Sequence, residues 1–146
     1  MDDIDEKVSH YDEHRTKIPE GRYLLFCVRW EKKTFRFKGK FVPKIVLWFE
    51  VKEDCDDRGK VIPMFLEISE DGKVRPRSDY AKFWIIANEC QPPERYRLKE
   101  MPPSKFLGKF FDAFVKDVRP EWETGEEQPE VFHYSRVKIL YQAIIL

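Results

Sequence analysis

One short segment constrains this chain more than any other: residues 44–52 (KIVLWFEVK) are almost continuously apolar between two lysines. β-branched and aromatic residues dominate it, and such a run is typical of a strand covered on both faces. We therefore predict a buried strand at residues 44–52, within a domain that is mainly β. At 146 residues, 42% of them hydrophobic, the chain is long enough for one domain with a sizeable core.

Further strand-like segments lie on both sides of this strand. Aromatic and β-branched residues predict four more strands, at residues 22–31, 61–69, 106–119 and 131–140. Pro63 removes an amide donor from the third strand, which favours an edge position or a bulge there. Gly39 and Pro43 interrupt extended pairing, so residues 37–43 are predicted to be a turn-forming stretch between the first two strands.

A single helix is predicted between the third and fourth strands, at residues 79–89. Ser78 is a suitable N-cap, and Asp79 places a negative charge in the first turn, where the helix dipole favours it. Helical spacing puts four apolar side chains on one face: Tyr80, Phe83, Trp84 and Ala87.

Three strands, a helix and two strands is the element order of an OB-fold, a five-stranded barrel with its helix between strands three and four. Another small β-barrel, or a β-sandwich with one helix, remains an alternative. We expect an acidic flexible arm at residues 1–17 and one OB-fold-like domain at residues 18–146. In an OB-fold the first-to-second connection, here residues 32–43 (KKTFRFKGKFVP), borders the ligand face.

The net charge of zero hides a strongly uneven charge distribution. Residues 22–52 contain nine basic and two acidic residues, interleaved with aromatic rings. Residues 1–14 carry six acids against one lysine, and residues 120–130 carry five acids and no base. Cations interleaved with rings suit a polyanion whose bases can stack, which points to single-stranded nucleic acid. For the acidic segments we expect a role in solubility, with two alternatives: weak competition with DNA for the basic groove, or the docking of a replication or recombination partner.

The basic segment supplies the candidate nucleic-acid-binding residues. Phosphates would be neutralised by Lys32, Lys33, Arg36, Lys38 and Lys40. Bases would stack on Phe35, Phe37 and Trp30. Residues 35 and 37 are two apart, so their rings lie on the same face of a strand. Arg29 and Lys44 would border the groove. The alternative is that the lysines only solvate a hairpin while the phenylalanines turn into the core. We expect Trp48 and Phe49 to be core residues.

Four motifs of the chain resemble those of small proteins encoded by phages and integrative conjugative elements. The motifs are Pro19-Glu20-Gly21-Arg22-Tyr23, Ile45-Val46-Leu47-Trp48-Phe49, Ser104-Lys105-Phe106-Leu107-Gly108-Lys109 and Tyr134-Ser135-Arg136-Val137. Proteins of this family are OB-type single-strand DNA-binding or replication-associated factors of mobile DNA. The resemblance covers residues 18–140 and implies DNA binding in replication or recombination. It transfers no catalytic residue.

Enzymatic and metal chemistry have little local support in the sequence. Glu50 and Lys52 form the E-x-K element of many metal-dependent nucleases, but no aspartate between Asp12 and Asp54 could act as the upstream ligand. His10 and His14 are spaced by four residues without an HExxH motif, and the three cysteines have no CxxC spacing. We expect no catalytic residue, no metal and no cofactor.

We therefore hypothesise a non-enzymatic, single-stranded-DNA-binding protein with little sequence preference. A protein-interaction adaptor or inhibitor is the main alternative, and a metal-dependent nuclease ranks third. The first residues lack the positive start and apolar core of a signal peptide, and no apolar run approaches the ~18 residues of a membrane span. We expect a cytoplasmic location, no membrane partner and possible homo-oligomers.

Overall fold

A computed structural model describes residues 16–118 and 134–145 of the chain. Most of the predicted acidic arm and the whole acidic segment 120–130 lie outside these residues, as do residues 131–133 of the predicted fifth strand. No helix in the described ranges is long and apolar enough to span a membrane.

The described residues form five strands, one α-helix and one 3₁₀ turn. The strands are β1 (Gly21–Phe37), β2 (Lys40–Val51), β3 (Val61–Glu67), β4 (Phe110–Val118) and β5 (Tyr134–Ile144). Helix α1 (Asp79–Ala87) lies between β3 and β4, and the 3₁₀ turn (Pro103–Phe106) precedes β4.

All five strands belong to one antiparallel sheet in the order β3-β2-β1-β4-β5. The sheet curls until its edge strands β3 and β5 approach each other, but they are not joined into a closed ladder. This arrangement confirms the predicted mainly β, OB-fold-like barrel with its helix between strands three and four. Pro63 lies on the edge strand β3, as its missing amide donor indicates.

β1 holds the barrel together because it pairs on both sides. Residues 21–26 pair with β4, and β1 pairs with β2 from Leu25 to Phe37. The register slips by one residue between Cys27 and Arg29, which makes Val28 a β-bulge. A bulge bends and twists a strand, so β1 turns away from β4 at this point. Beyond the bulge β1 pairs with β2 alone.

The core lies inside the curled sheet and is closed by α1. Alternate residues of β2, including Ile45, Leu47 and Phe49, face it, as does Phe111 of β4. The predicted apolar helix face is confirmed, because its four residues are all buried. Ser78 caps the helix as predicted, since its Oγ accepts a hydrogen bond from the Ala81 amide at 3.1 Å.

Several predicted boundaries differ from those of the structure. The fourth strand begins at Phe110 rather than at residue 106, because Pro102 and Pro103 start a 3₁₀ turn that buries the Phe106 ring against Tyr80 and Phe111. The fifth strand continues to Ile144. α1 ends at Ala87, where Asn88 caps it.

Candidate nucleic-acid interface

The basic segment is a long β-hairpin and not a loop. This corrects the predicted end of the first strand at residue 31, the predicted connection at residues 32–43 and the predicted turn-forming stretch at residues 37–43. β1 runs on to Phe37 and β2 begins at Lys40, so only two residues connect the strands. Lys38 and Gly39 both have positive φ angles, 50° and 78°, as a type I′ turn requires. We call residues 29–48, the part of this hairpin beyond the bulge, the hairpin arm.

Strand alternation divides the candidate residues between the two faces of the hairpin arm. Residues directly opposite each other in an antiparallel ladder share a face. Trp30 and Lys32 lie opposite Leu47 and Ile45, which face the core. We call this the inner face and the opposite one the outer face. The outer face carries Arg29, Lys33, Phe35 and Lys44.

On the outer face, a lysine lies between two aromatic rings. The Phe35 ring packs edge-on against Phe65 of β3, with ring centres 5.7 Å apart. The Lys44 Nζ lies 5.5 Å from the centre of the Phe35 ring and 5.8 Å from that of Phe65. All three side chains are half-buried. We call Phe35, Lys44 and Phe65 the ring cluster.

The Lys44 ammonium is in an unfavourable electrostatic environment. Burial is the main cause that lowers the pKa of Lys44, and the nearby Arg136 lowers it further, while Glu67 raises it. An anion bound beside Lys44 would favour its charged form. The ring cluster therefore combines a cation that gains from an anionic ligand with two partly exposed ring surfaces.

Farther along the outer face, Trp48 is buried as predicted, with 1% of its surface exposed. It does not belong to the main core cluster, which contains its neighbours Leu47 and Phe49. The Arg29 guanidinium lies 4.6 Å from the Trp48 ring, and Trp48 Nε1 donates a hydrogen bond to Glu31 Oε2 at 2.8 Å. Trp48 is thus buried on the outer face of the sheet, apart from the main core cluster.

Glu31 also approaches a second candidate residue, Lys33. The Lys33 side chain is buried, with 8% of the residue exposed, and its Nζ lies 3.7 Å from Glu31 Oε1. A buried lysine with a carboxylate partner offers less charge to a phosphate than an exposed one does. Lys33 is therefore the weakest phosphate-binding candidate of the hairpin arm.

The inner face carries its own cations and rings. Trp30 is 37% exposed, and Lys32 beside it is exposed. The Arg36 guanidinium lies 5.9 Å from the ring of Phe41, which is 50% exposed. At the tip, Lys38 and Lys40 are exposed and flank Gly39, and the Phe37 backbone lies opposite Lys40.

The residues considered for a nuclease lie elsewhere and contact each other. Lys52 Nζ forms an ion pair with Glu50 Oε2 at 2.8 Å and lies 5.7 Å from the centre of the Phe26 ring. Among residues 16–118 and 134–145, no three His, Cys, Asp or Glu side chains form a group that could hold a metal ion. Glu50 is therefore the ion-pair partner of Lys52 in this structure.

Sequence reasoning missed Phe65 and Phe41. Phe65 lies in the segment VIPMFLE, where only its pairing with Val46 of β2 reveals that it lies on the outer face. Phe41 fell in the predicted turn, although it is a strand residue opposite Arg36. Strand register decides both positions, and register between distant segments is not readable from one sequence.

No protein-family model matches the chain, and no curated protein matches it. The resemblance to DNA-binding proteins of mobile elements therefore stays a prediction.

Proposed function

We propose that this protein is a non-enzymatic single-stranded-DNA-binding protein that uses the outer face of β1, β2 and β3. The observation that carries the proposal is the ring cluster, in which Lys44 lies between the half-buried rings of Phe35 and Phe65. In OB-fold proteins the face of strands two and three holds oligonucleotides. Action in replication or recombination of a phage or mobile element is the biological setting we propose with it.

The two kinds of group in the ring cluster would act on different parts of the ligand. A base stacked on an exposed ring contributes ~1–3 kcal/mol and tolerates any sequence, because every base has a π-face. Lys44 would neutralise a phosphate and release counterions, which makes binding sensitive to salt. Little sequence preference and strong salt dependence follow from this combination.

The exposed cations of the hairpin tip would extend the same interaction. Lys38 and Lys40 flank Gly39 at the turn of the hairpin arm. Arg36 and Lys32 lie on the inner face, so they would contact a strand that passes around the arm rather than one that stays on the outer face. Substitutions on the inner face and substitutions on the outer face should therefore affect DNA binding differently for these two paths of the bound strand.

A titration with fluorescently labelled oligo-dT at low salt tests the proposal. We expect the wild type to bind, and Phe35→Ala and Phe65→Ala to weaken binding by about 5- to 150-fold, which corresponds to the loss of one stacked base. The matched control is Tyr141→Ala. Tyr141 is also a partly exposed ring (41%) beside a cation, since Arg22 lies 4.2 Å from its centre, but it belongs to β5.

Three outcomes of this titration would decide between the possibilities. Absence of wild-type binding at low salt would contradict the proposal and favour a protein-interaction module. Loss of affinity in Phe41→Ala, with none in Phe65→Ala, would move the site to the inner face. Equal loss in Tyr141→Ala would show that the ring cluster is not the binding site.

A further inference from the structure

Two adjoining cavities have a volume of about 250 Å³ each, and one of them borders the ring cluster. The first lies at the open seam between the edge strands and is lined by residues 64–67 of β3 and 136–138 of β5. The second lies under the connection from β3 to α1. Both cavities share Glu67 and Ser78 in their walls, so they adjoin at these two residues, and we call the two cavities together the seam groove.

The walls of the seam groove are rich in basic residues. Five cations line it: Lys44, Lys73, Arg75, Arg136 and Lys138. Only two acids, Glu67 and Asp79, line it with them. Within the described part of the chain, none of the five cations lies within ion-pair distance of a carboxylate. Their charges are thus available to an anionic ligand.

The seam groove is continuous with the ring cluster. Lys44 and Phe65 belong to the ring cluster and also line the cavity at the seam. An anionic chain whose bases stack on the outer face would therefore reach the seam groove without crossing any other element. The five cations are spread over two cavities rather than gathered around one point, which suits a row of phosphates better than a single small anion.

We propose that the seam groove is the phosphate track of the bound single strand, with Arg136, Lys138, Lys73 and Arg75 as contacts beyond the hairpin arm. This inference rests on the proposed function. It assigns the bound strand a path over the surface, from the ring cluster along β3 toward the start of α1. None of these four residues lies in the basic segment 22–52, where the sequence placed the interface. Arg136 and Lys138 come from β5, which the fold brings beside β3.

The salt dependence of oligo-dT binding tests the contacts on β5. Each phosphate contact contributes about 0.7 to the slope of log K against log salt for a single strand. We expect Arg136→Gln with Lys138→Gln to flatten the slope by about 1.4, the sum of two such contacts. Lys60→Gln is the control, because Lys60 precedes β3 at the end away from the seam groove and pairs with Asp57 at 2.7 Å.

A pair of substitutions at Ser78 tests the same groove without removing any cation. Asp and Asn are both good N-caps, so Ser78→Asp and Ser78→Asn should both keep α1 capped. They differ by one negative charge in the wall shared by both cavities. We expect Ser78→Asp to bind oligo-dT on the order of fivefold more weakly than Ser78→Asn at low salt, with the difference shrinking as salt rises.

The results separate the two proposals. If the wild type binds no oligo-dT, the proposed function fails, and with it the track. If the wild type binds but the double variant keeps its affinity and slope, and Ser78→Asp equals Ser78→Asn, the track is wrong while DNA binding by the hairpin arm stands. Thermal unfolding of each variant checks that a weaker binder is still folded.

Discussion

At Lys44, burial acts against the charge that the proposed function uses. Its ammonium lies between the Phe35 and Phe65 rings, and burial lowers its pKa. A lowered pKa means that the folded state disfavours the charged form relative to the unfolded chain. Below the lowered pKa this cost is fully present, and stability should rise as the pH rises through the lowered pKa.

Replacing Lys44 by methionine tests this trade-off. Methionine keeps a flexible chain of similar length and brings a sulfur against two rings, a contact worth ~0.3–1.5 kcal/mol. We expect Lys44→Met to raise the free energy of unfolding at pH 7 by about 0.5–1 kcal/mol and to weaken oligo-dT binding. Urea denaturation at pH 7 measures the first effect. A loss of stability beyond 1 kcal/mol would show instead that the ammonium stabilises the fold through its rings.

The proposed interface depends on the hairpin arm, and the turn of this arm requires residues with positive φ angles. Gly39 has a φ of 78°, a left-handed conformation that costs other L-residues ~1–2 kcal/mol. A Cβ atom at Gly39 would meet no atom within 4 Å, so any cost of a substitution comes from the backbone alone.

Gly39→Ala tests the turn. We expect it to lower the free energy of unfolding by about 1 kcal/mol, while Gly39→Asn loses less, because asparagine tolerates the left-handed region. Chemical denaturation of both variants measures the difference. Equal stability of wild type and Gly39→Ala would mean that residues 38 and 39 do not form a type I′ turn.

Much at the element scale could be predicted from the sequence. The buried strand at residues 44–52 and the Ser78 cap follow from local chemistry. The extent of the hairpin does not, because Lys-Gly is a weaker hairpin signal than Asn-Gly and Pro43 suggests a break. In the structure Pro43 lies just beyond the last β2–β3 pair, Lys44 with Glu67, so its missing amide leaves that ladder intact.

The bulge at Val28 explains why the faces of the arm could not be predicted. Leu25 and Cys27 point into the core. Alternation continued from them would turn Arg29 and Phe35 inward as well. The extra residue reverses the alternation, so that Arg29 lies opposite Trp48 and Phe35 opposite Val42, on the outer face. A slip of one residue exchanges the two faces of a strand, and no local signal in the sequence marks it.

At the scale of the whole molecule, the proposed interface is assembled from distant parts of the chain. Phe35 and Lys44 belong to the hairpin arm, Phe65 to β3 and Arg136 to β5. The curl of the sheet brings β3 and β5 together, and α1 covers the core beneath them. The charge and aromatic pattern of the sequence indicated the hairpin arm. The contribution of β5 depends on long-range topology, which that pattern does not reveal.

The central claim is that a single strand binds across β1, β2 and β3 and continues along the seam groove. The most direct measurement is a titration of the ¹⁵N-labelled protein with oligo-dT at low salt, followed by backbone amide chemical shifts. We predict the largest changes at Phe35, Lys44, Phe65 and Arg136. An unchanged spectrum, or changes confined to the surroundings of Arg22, Asp112 and Tyr141 on the β1–β4–β5 part of the sheet, would contradict the claim.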